Sequence, residues 1–102
     1  MPWRVELLPR AEAELMSLPA DMRARFLHIA EMLGPQRVGM PHIRPLEGGL
    51  WEIGMTGRDG IARAIYVAQA GQRLTVLHVF VKKTPKTPRY AIEMARARIT
   101  ED

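Results

Sequence analysis

Three lysines near the C-terminal end are the residues whose type and spacing best suit chemistry. Lys82, Lys83 and Lys86 follow the mostly apolar run 77–81 and precede a predicted helix. A strand that ends here would bring the three ammonium groups to one place, where a phosphate backbone would neutralise them and release its counterions. Neighbouring positive charges favour the neutral amine, so one lysine can act as acid or base. The cluster predicts a nucleic-acid partner, although a charged strand end that discourages edge pairing is the alternative.

The three histidines are the other groups that transfer protons easily near neutral pH. His78 either lines the open face of the sheet or is a hydrogen-bonded, partly buried residue. His42 lies in a connector, where a solvent-exposed position is the commoner outcome, and His28 is expected on a helix surface. No two of them have the spacing of metal ligands, and the chain has no cysteine. We therefore expect no metal or other cofactor.

Length and charge narrow the class of protein. The 102 residues suit one domain over 1–102 with a single core. A formal net charge of +4 and a pI of about 10.1 suit a polyanionic partner. Because cysteine and an apolar signal-like segment are both missing, a reducing cytoplasm is the expected compartment. No apolar run approaches the roughly 20 residues that cross a bilayer, so we expect a soluble protein without a membrane partner.

The first third of the chain predicts one strand followed by two helices. Apolar and polar residues alternate over 3–8, which is the period of a half-buried strand. Pro9 can open a short first helix. A second helix is expected to begin with Asp21 as its N-cap and to bury one stripe, made of Met22, Phe26, Ile29 and Leu33. The two helices should form an antiparallel hairpin against one face of a sheet.

The remainder predicts three strands and a last helix. A connector rich in Pro and Gly covers 36–49. The strands are expected to form an antiparallel meander with tight turns, over 50–55, 61–70 and 74–81. A final helix over about 88–99 has one apolar face. The order βααβββα predicts an α+β fold, a small twisted antiparallel sheet with a helical hairpin packed on one face and a C-terminal helix. All helices are expected on one side of the sheet.

Two long motifs resemble a known family. The first runs from Arg44 to Glu52 with the sequence RPLEGGLWE, and the second covers 77–88 with the sequence LHVFVKKTPKTP. Arg63 and Tyr66 lie on the predicted strand between them. This combination resembles the RelE/ParE superfamily of toxins, and most closely its phage-derived Gp49-like, HigB-type branch. The resemblance covers nearly the whole chain, since the early strand and helical hairpin come in the same order.

The resemblance implies a partner and an activity. Members of this superfamily are the toxins of type II toxin–antitoxin pairs, so a cognate antitoxin is implied, usually with a helix-turn-helix domain, and promoter DNA is bound only through the complex. RelE and HigB members cleave mRNA on the ribosome, which implies a metal-independent, ribosome-dependent endoribonuclease. ParE members share the fold and inhibit DNA gyrase. A non-enzymatic gyrase inhibitor and a non-toxic basic nucleic-acid-binding module therefore stay open as alternatives.

The residues supply the roles that metal-free RNA cleavage needs, namely a base, an acid and cations for the charge on phosphorus. Arg63 on an open sheet face can bind a phosphate with two parallel hydrogen bonds, while a solvated surface arginine is the alternative. Tyr90 can stack on a base or exchange a proton, or is an ordinary packed aromatic. The remaining candidates are His78 with the three lysines for catalysis and, for RNA contacts, Arg44, Arg58 and Arg89.

One departure from better-known RelE proteins affects the expected mechanism. Those proteins carry lysines along the second strand, whereas this chain has Trp-Glu-Ile-Gly-Met over 51–55. If the protein cleaves RNA, the lysine cluster after the last strand must therefore supply the proton transfers.

Overall fold

The computed structural model describes residues 4–32, 43–82 and 86–101, which form a five-stranded sheet and three α-helices. The elements are, in chain order, β1 (Arg4–Leu7), α1 (Pro9–Met16), α2 (Ala20–Met32), β2 (Ile43–Pro45), β3 (Leu50–Gly57), β4 (Gly60–Gln69), β5 (Arg73–Lys82) and α3 (Arg89–Arg98), followed by a 3₁₀ turn (Ile99–Glu101). The predicted α+β class and the order of the predicted elements are confirmed.

The sheet has the strand order β1-β5-β4-β3-β2. Strands β3, β4 and β5 form the predicted antiparallel meander. Two features correct the prediction. First, β1 pairs with β5 in parallel, so the sheet is mixed; the long connection between these strands makes parallel pairing possible. Second, the predicted connector contains β2, which pairs with β3. Three residues are too few to show a strand period in the sequence.

Helix α2 packs on one face of the sheet, as predicted. Of its predicted stripe, Met22, Phe26 and Ile29 are buried, while Leu33 lies outside the described residues; the helix contacts β3. The approach is close at Gly57, where an added Cβ would lie 2.7 Å from the Cγ of Met22. Asp21 lies inside the first helical turn, so it is not the predicted N-cap. Its carboxylate instead accepts a hydrogen bond of 2.6 Å from the backbone N–H of Arg58, which ties α2 to the β3–β4 turn.

Helix α3 lies on the opposite face, which corrects the expectation that all helices share one side. Successive strand side chains point to opposite faces, so Glu52 of β3 points away from the face that α2 covers. The hydroxyl of Thr87, two residues before α3, donates a hydrogen bond to Glu52. Helix α3 buries Ala91, Ile92 and Ala95. Residues 74–80 of β5 are all buried, which is typical of a strand covered on both faces.

An ion pair closes the outer edge of β5. Strand β1 is only four residues long, so the edge of β5 beyond it has no strand partner among the described residues. There Arg98 of α3 donates through Nη1 to the carbonyl of Leu77 at 3.0 Å and binds Glu14 of α1 through both Nη atoms at 2.9 and 3.0 Å. Glu14 also accepts the N–H of Val79 at 3.0 Å. The pair satisfies two backbone groups of this edge, the Leu77 carbonyl and the Val79 N–H, and joins two helices from opposite faces.

The surroundings of Glu14 set a pH dependence for the fold. Burial raises the pKa of its carboxyl. Hydrogen bonds from Arg98 and from the Val79 amide lower this pKa, and so does the nearby His78. Together they outweigh burial, so the pKa lies below the ordinary 4.5. A carboxyl whose pKa is depressed by folding stabilises the fold above its unfolded pKa. That stabilisation is lost as the pH falls from about 4.5 through the depressed value.

Glu14→Gln is expected to lower the free energy of unfolding by about 3 kcal/mol near neutral pH, because it leaves the buried guanidinium of Arg98 without its counter-charge. The variant should also lose less stability than the wild type between about pH 5 and about pH 3. Urea denaturation at both pH values measures the two effects. Glu12→Gln, exposed on the same helix, is the matched control. If the wild type and the Glu14 variant lose the same free energy of unfolding on acidification, the Glu14 carboxylate does not cause the pH dependence.

Candidate nucleic-acid interface

The sheet face opposite α2 carries a group of charged side chains, which we call the open face. Register places Arg44 of β2 beside Glu52 of β3, and Gly54 of β3 beside Arg63 of β4. Lys82, the last residue of β5, pairs with residue 61 on the same face. A depression of about 240 Å³ lies on this face, and it is lined mainly by Arg44, Glu52, Gly54, Thr56, Ile61 and Arg63. Gly54 has no side chain, which leaves the floor open.

Glu52 is the buried centre of the open face, with 1% of its surface exposed. Its Oε1 accepts a hydrogen bond of 2.8 Å from Nε of Arg44 and lies 3.1 Å from Nε of Arg63. The second distance is that of an ion pair, although the Arg63 N–H is not aligned for a hydrogen bond. Oε2 accepts the hydroxyl hydrogen of Thr87. Two cations and a hydroxyl therefore compensate a carboxylate that would be costly to bury alone.

Arg63 presents the outer end of its guanidinium to the depression. Its side chain is 14% exposed, and Nη1 donates a long hydrogen bond of 3.4 Å to the carbonyl of Ala62. Among the described residues, none forms a hydrogen bond or an ion pair with Nη2. A phosphate oxygen approaching from the depression would therefore meet an available donor, which suits the predicted charge-stabilising role.

Lys82 lies half-buried beside Arg63, diagonally across the β4–β5 pair. Burial lowers the pKa of its ammonium group below 10.5, the positive charges of Arg63 and Arg44 lower it further, and the negative charge of Glu52 opposes them. A lowered pKa brings the neutral amine closer to neutral pH. Its lowered pKa and its position beside Arg63 on the open face thus suit Lys82 to a proton transfer.

Other predicted residues gather near the start of α3. Lys86 is exposed and lines a second depression with Thr87 and Arg89. Tyr90 is 58% exposed, so its ring and hydroxyl are accessible, unlike those of a packed aromatic. Arg89 is bound by Glu47 and lies 3.4 Å from Glu93. The hydrogen bond from Arg89 lowers the pKa of the Glu47 carboxyl, so an RNA phosphate would have to compete with two carboxylates for this cation.

His78 and Arg58 are not brought to the depression. His78 is 5% exposed. Its Nδ1 lies 3.0 Å from the carboxylate of Glu14 and its ring stacks on Phe80 at 5.2 Å, so it is the hydrogen-bonded, buried alternative. Arg58 lies in the β3–β4 turn beside the start of α2. Two further candidates, Lys83 and His42, lie outside the described residues.

Sequence reasoning did not assign a site role to Glu52 or Thr87. A usable signal exists for Glu52, because a lone acidic residue interrupts the apolar positions of a predicted strand and must find a cation if it faces inward. Thr87 carries no such signal. Its role depends on a contact with a residue 35 positions away.

A match to a family model decides which protein family the chain belongs to. The model that describes phage-derived, Gp49-like proteins matches residues 13–100. The chain belongs to this Gp49-like family. The resemblance that the two motifs carry is therefore confirmed for nearly the whole chain. A search of the curated proteins finds no match.

Solved structures place the Gp49-like chain among RelE folds. A chain of the toxin–antitoxin complex RelBE2 from Mycobacterium tuberculosis aligns with 80% of this chain and 100% of its own, with a TM-score of 0.58 and 21% identity. A chain of the archaeal RelE–RelB complex from Pyrococcus horikoshii OT3 aligns with 79% of this chain and 96% of its own, with a TM-score of 0.60 and 26% identity. A mutant of the E. coli toxin RelE in the free state aligns with 97% of this chain and 99% of its own, with a TM-score of 0.59 and 17% identity. The predicted RelE-like fold is confirmed.

Two further properties concern only the described part of this Gp49-like chain. None of its helices is both long and apolar enough to cross a membrane. Over 4–32, 43–82 and 86–101, no group of three His, Asp or Glu side chains has an arrangement that could hold a metal ion.

Arg63→Ala is expected to raise the pKa of Lys82 toward 10.5 without reaching it, because burial, the largest cause of the shift, remains. A ¹³C NMR titration of the lysine side-chain carbons measures this pKa. Arg25→Ala, which removes an exposed arginine from α2, is the matched control and should leave it unchanged. If Lys82 titrates identically in the wild type and Arg63→Ala, the two charges do not interact.

Proposed function

We propose that this Gp49-like protein is the toxin of a type II toxin–antitoxin pair and cleaves mRNA on the ribosome without a metal ion. One observation carries the proposal: Arg63 and Lys82 share the open face, the first with an Nη2 to which no described residue is hydrogen-bonded and the second with a lowered ammonium pKa. The likeness to chains of RelE-containing toxin–antitoxin complexes supports it.

The proposed reaction is attack of a ribose 2′-oxygen on the neighbouring phosphorus. The new bond joins the 2′-oxygen to phosphorus, and the bond from phosphorus to the 5′-oxygen breaks, which gives a 2′,3′-cyclic phosphate and a 5′-hydroxyl. A base takes the 2′-hydroxyl proton and an acid gives a proton to the 5′-oxygen. Lys82 fills one of these roles, and the other falls to Lys83, Lys86 or Tyr90.

Arg63 has the electrostatic role in this reaction. Its guanidinium donates to the non-bridging phosphate oxygens, whose negative charge increases in the pentacoordinate transition state. Arg44 belongs to the rim of the depression and contacts the RNA backbone, while the exposed ring of Tyr90 stacks on a base. His78 is bound to Glu14 away from the depression, and we propose no proton transfer by it.

The same surface suits the second proposed partner. The RelBE2 structure is a toxin–antitoxin complex, and the archaeal structure is a complex of RelE with RelB. We propose that a cognate antitoxin, of the helix-turn-helix type, covers the open face and supplies carboxylates to Arg63 and Lys82. A net charge of +4 supports an acidic partner segment. The complex, rather than the toxin alone, would bind promoter DNA.

Induction without antitoxin tests the proposal. The wild type is expected to arrest growth and to create new RNA 5′ ends inside coding regions. Arg63→Ala and Lys82→Ala should each reduce the rate at which these ends appear by about 100-fold or more, because each removes a group that acts in the transition state. Arg25→Ala, the matched control on α2, should cleave like the wild type.

Other outcomes would replace the proposal. Growth arrest with DNA damage and intact mRNA would indicate a gyrase inhibitor. Harmless expression, together with RNA binding whose salt dependence decreases when Lys82 is removed, would indicate a binding module without toxicity. Equal cleavage by the wild type and both variants would move the site away from the open face.

A further inference from the structure

The two carboxylate oxygens of Glu52 contact different parts of the chain. Oε1 faces the arginines, with Nε of Arg44 at 2.8 Å and Nε of Arg63 at 3.1 Å. Oε2 accepts the hydroxyl hydrogen of Thr87. The Thr87 oxygen in turn accepts a hydrogen bond of 3.4 Å from Nη2 of Arg44. Thr87, Glu52 and Arg44 thus form a closed ring of contacts, and Arg63 contacts that ring through one nitrogen.

This arrangement restricts the orientation of Arg63. The ion pair involves Nε, the nitrogen nearest the side-chain stem, so the two Nη atoms stay at the far end of the guanidinium. A carboxylate held at one oxygen can still turn about its terminal bond. The Thr87 hydroxyl holds the second oxygen, and Thr87 is 6% exposed, so water does not readily replace it. The contacts of Glu52 and Thr87 therefore limit how the guanidinium of Arg63 can turn.

We propose that Thr87 and Glu52 are a positioning pair for Arg63. Thr87 orients the carboxylate of Glu52, and the carboxylate pairs with Arg63 at Nε, so that Nη2, the nitrogen not bonded to the Ala62 carbonyl, is directed at the phosphate. The proposal rests on the proposed cleavage function. It assigns neither residue a contact with RNA. Because Thr87 comes two residues before α3, the start of this helix is linked to the orientation of the arginine.

Three variants separate positioning from simple packing. Thr87→Val keeps the shape of the side chain and removes the hydroxyl, whereas Thr87→Ser keeps the hydroxyl and removes a methyl group. Glu52→Gln keeps an acceptor for Thr87 but removes the charge next to Arg63. Thermal denaturation shows whether each variant is folded. If Glu52→Gln does not fold, the two Thr87 variants still decide the question.

The first measurement needs no RNA. The Nε–H resonance of Arg63 is recorded in ¹⁵N-labelled protein and assigned by its loss in Arg63→Lys. The resonance is expected to shift in Thr87→Val and Glu52→Gln, because the carboxylate next to it turns or loses its charge. It is expected to stay close to the wild-type position in Thr87→Ser. An unchanged resonance in Thr87→Val would overturn the proposal.

The second measurement is the rate of mRNA cleavage on programmed ribosomes. Thr87→Val should lower kcat about tenfold with KM changed by less than about twofold, because a misplaced arginine stabilises the transition state less and the bound RNA about equally. Thr87→Ser should recover most of the wild-type kcat. Unchanged kcat in Thr87→Val would overturn the proposal, and so would a failure of serine to restore it.

The two measurements distinguish the failure of each claim. If the wild type does not cleave mRNA, the proposed function fails, and the Nε–H resonance alone decides whether Thr87 and Glu52 orient Arg63. If the wild type cleaves and the resonance shifts in Thr87→Val without any change in kcat, the orientation has no effect on cleavage and the positioning role is wrong.

Discussion

The open face depends on the burial of one charge, the carboxylate of Glu52. A carboxylate that is 1% exposed is stable only where cations and hydrogen-bond donors surround it. These come from three separate parts of the chain, namely Arg44 on the edge strand β2, Arg63 on β4 and Thr87 before α3. The carboxylate of Glu52 therefore connects β2, β4 and the start of α3. The shape of the basic face follows from these three contacts.

A second carboxylate holds the other end of α3. Glu14 binds Arg98 and closes the edge of β5 that β1 leaves unpaired. On the exposed side of the helix, Arg89 and Arg96 pair with Glu47, and ion pairs on a surface contribute little to stability. Ion pairs and hydrogen bonds thus hold both ends of the helix, and the buried side chains of Ala91, Ile92 and Ala95 pack its middle against the sheet. It covers part of the sheet face and leaves Arg63 at the depression with Lys82 half-buried beside it, which is the arrangement that the proposed cleavage requires.

Part of the candidate site follows from local sequence. Arg63 and Lys82 lie on strands whose apolar runs predict them, and the two-residue period places each on one face. The residues that hold these two side chains in place do not follow from local sequence. Glu52 is visible as an acidic residue in an apolar strand, but its partners depend on register. The burial of His78 beside Glu14 was one of two alternatives, and the choice depended on where α1 and α3 cross the edge of β5.

The sequence by itself determined the order and type of most elements and, through two contiguous motifs, the family. These signals are local, since helical stripes such as Met22, Phe26 and Ile29 and tight turns act over a few residues. Tertiary structure alone decided the parallel pairing of β1, the presence of β2 and the face that α3 covers. It also joined Glu52 to Thr87 and Glu14 to Arg98, which are 35 and 84 positions apart. Such contacts form because buried charges must be paired in space, and residue spacing along the chain does not reveal which partner will be near.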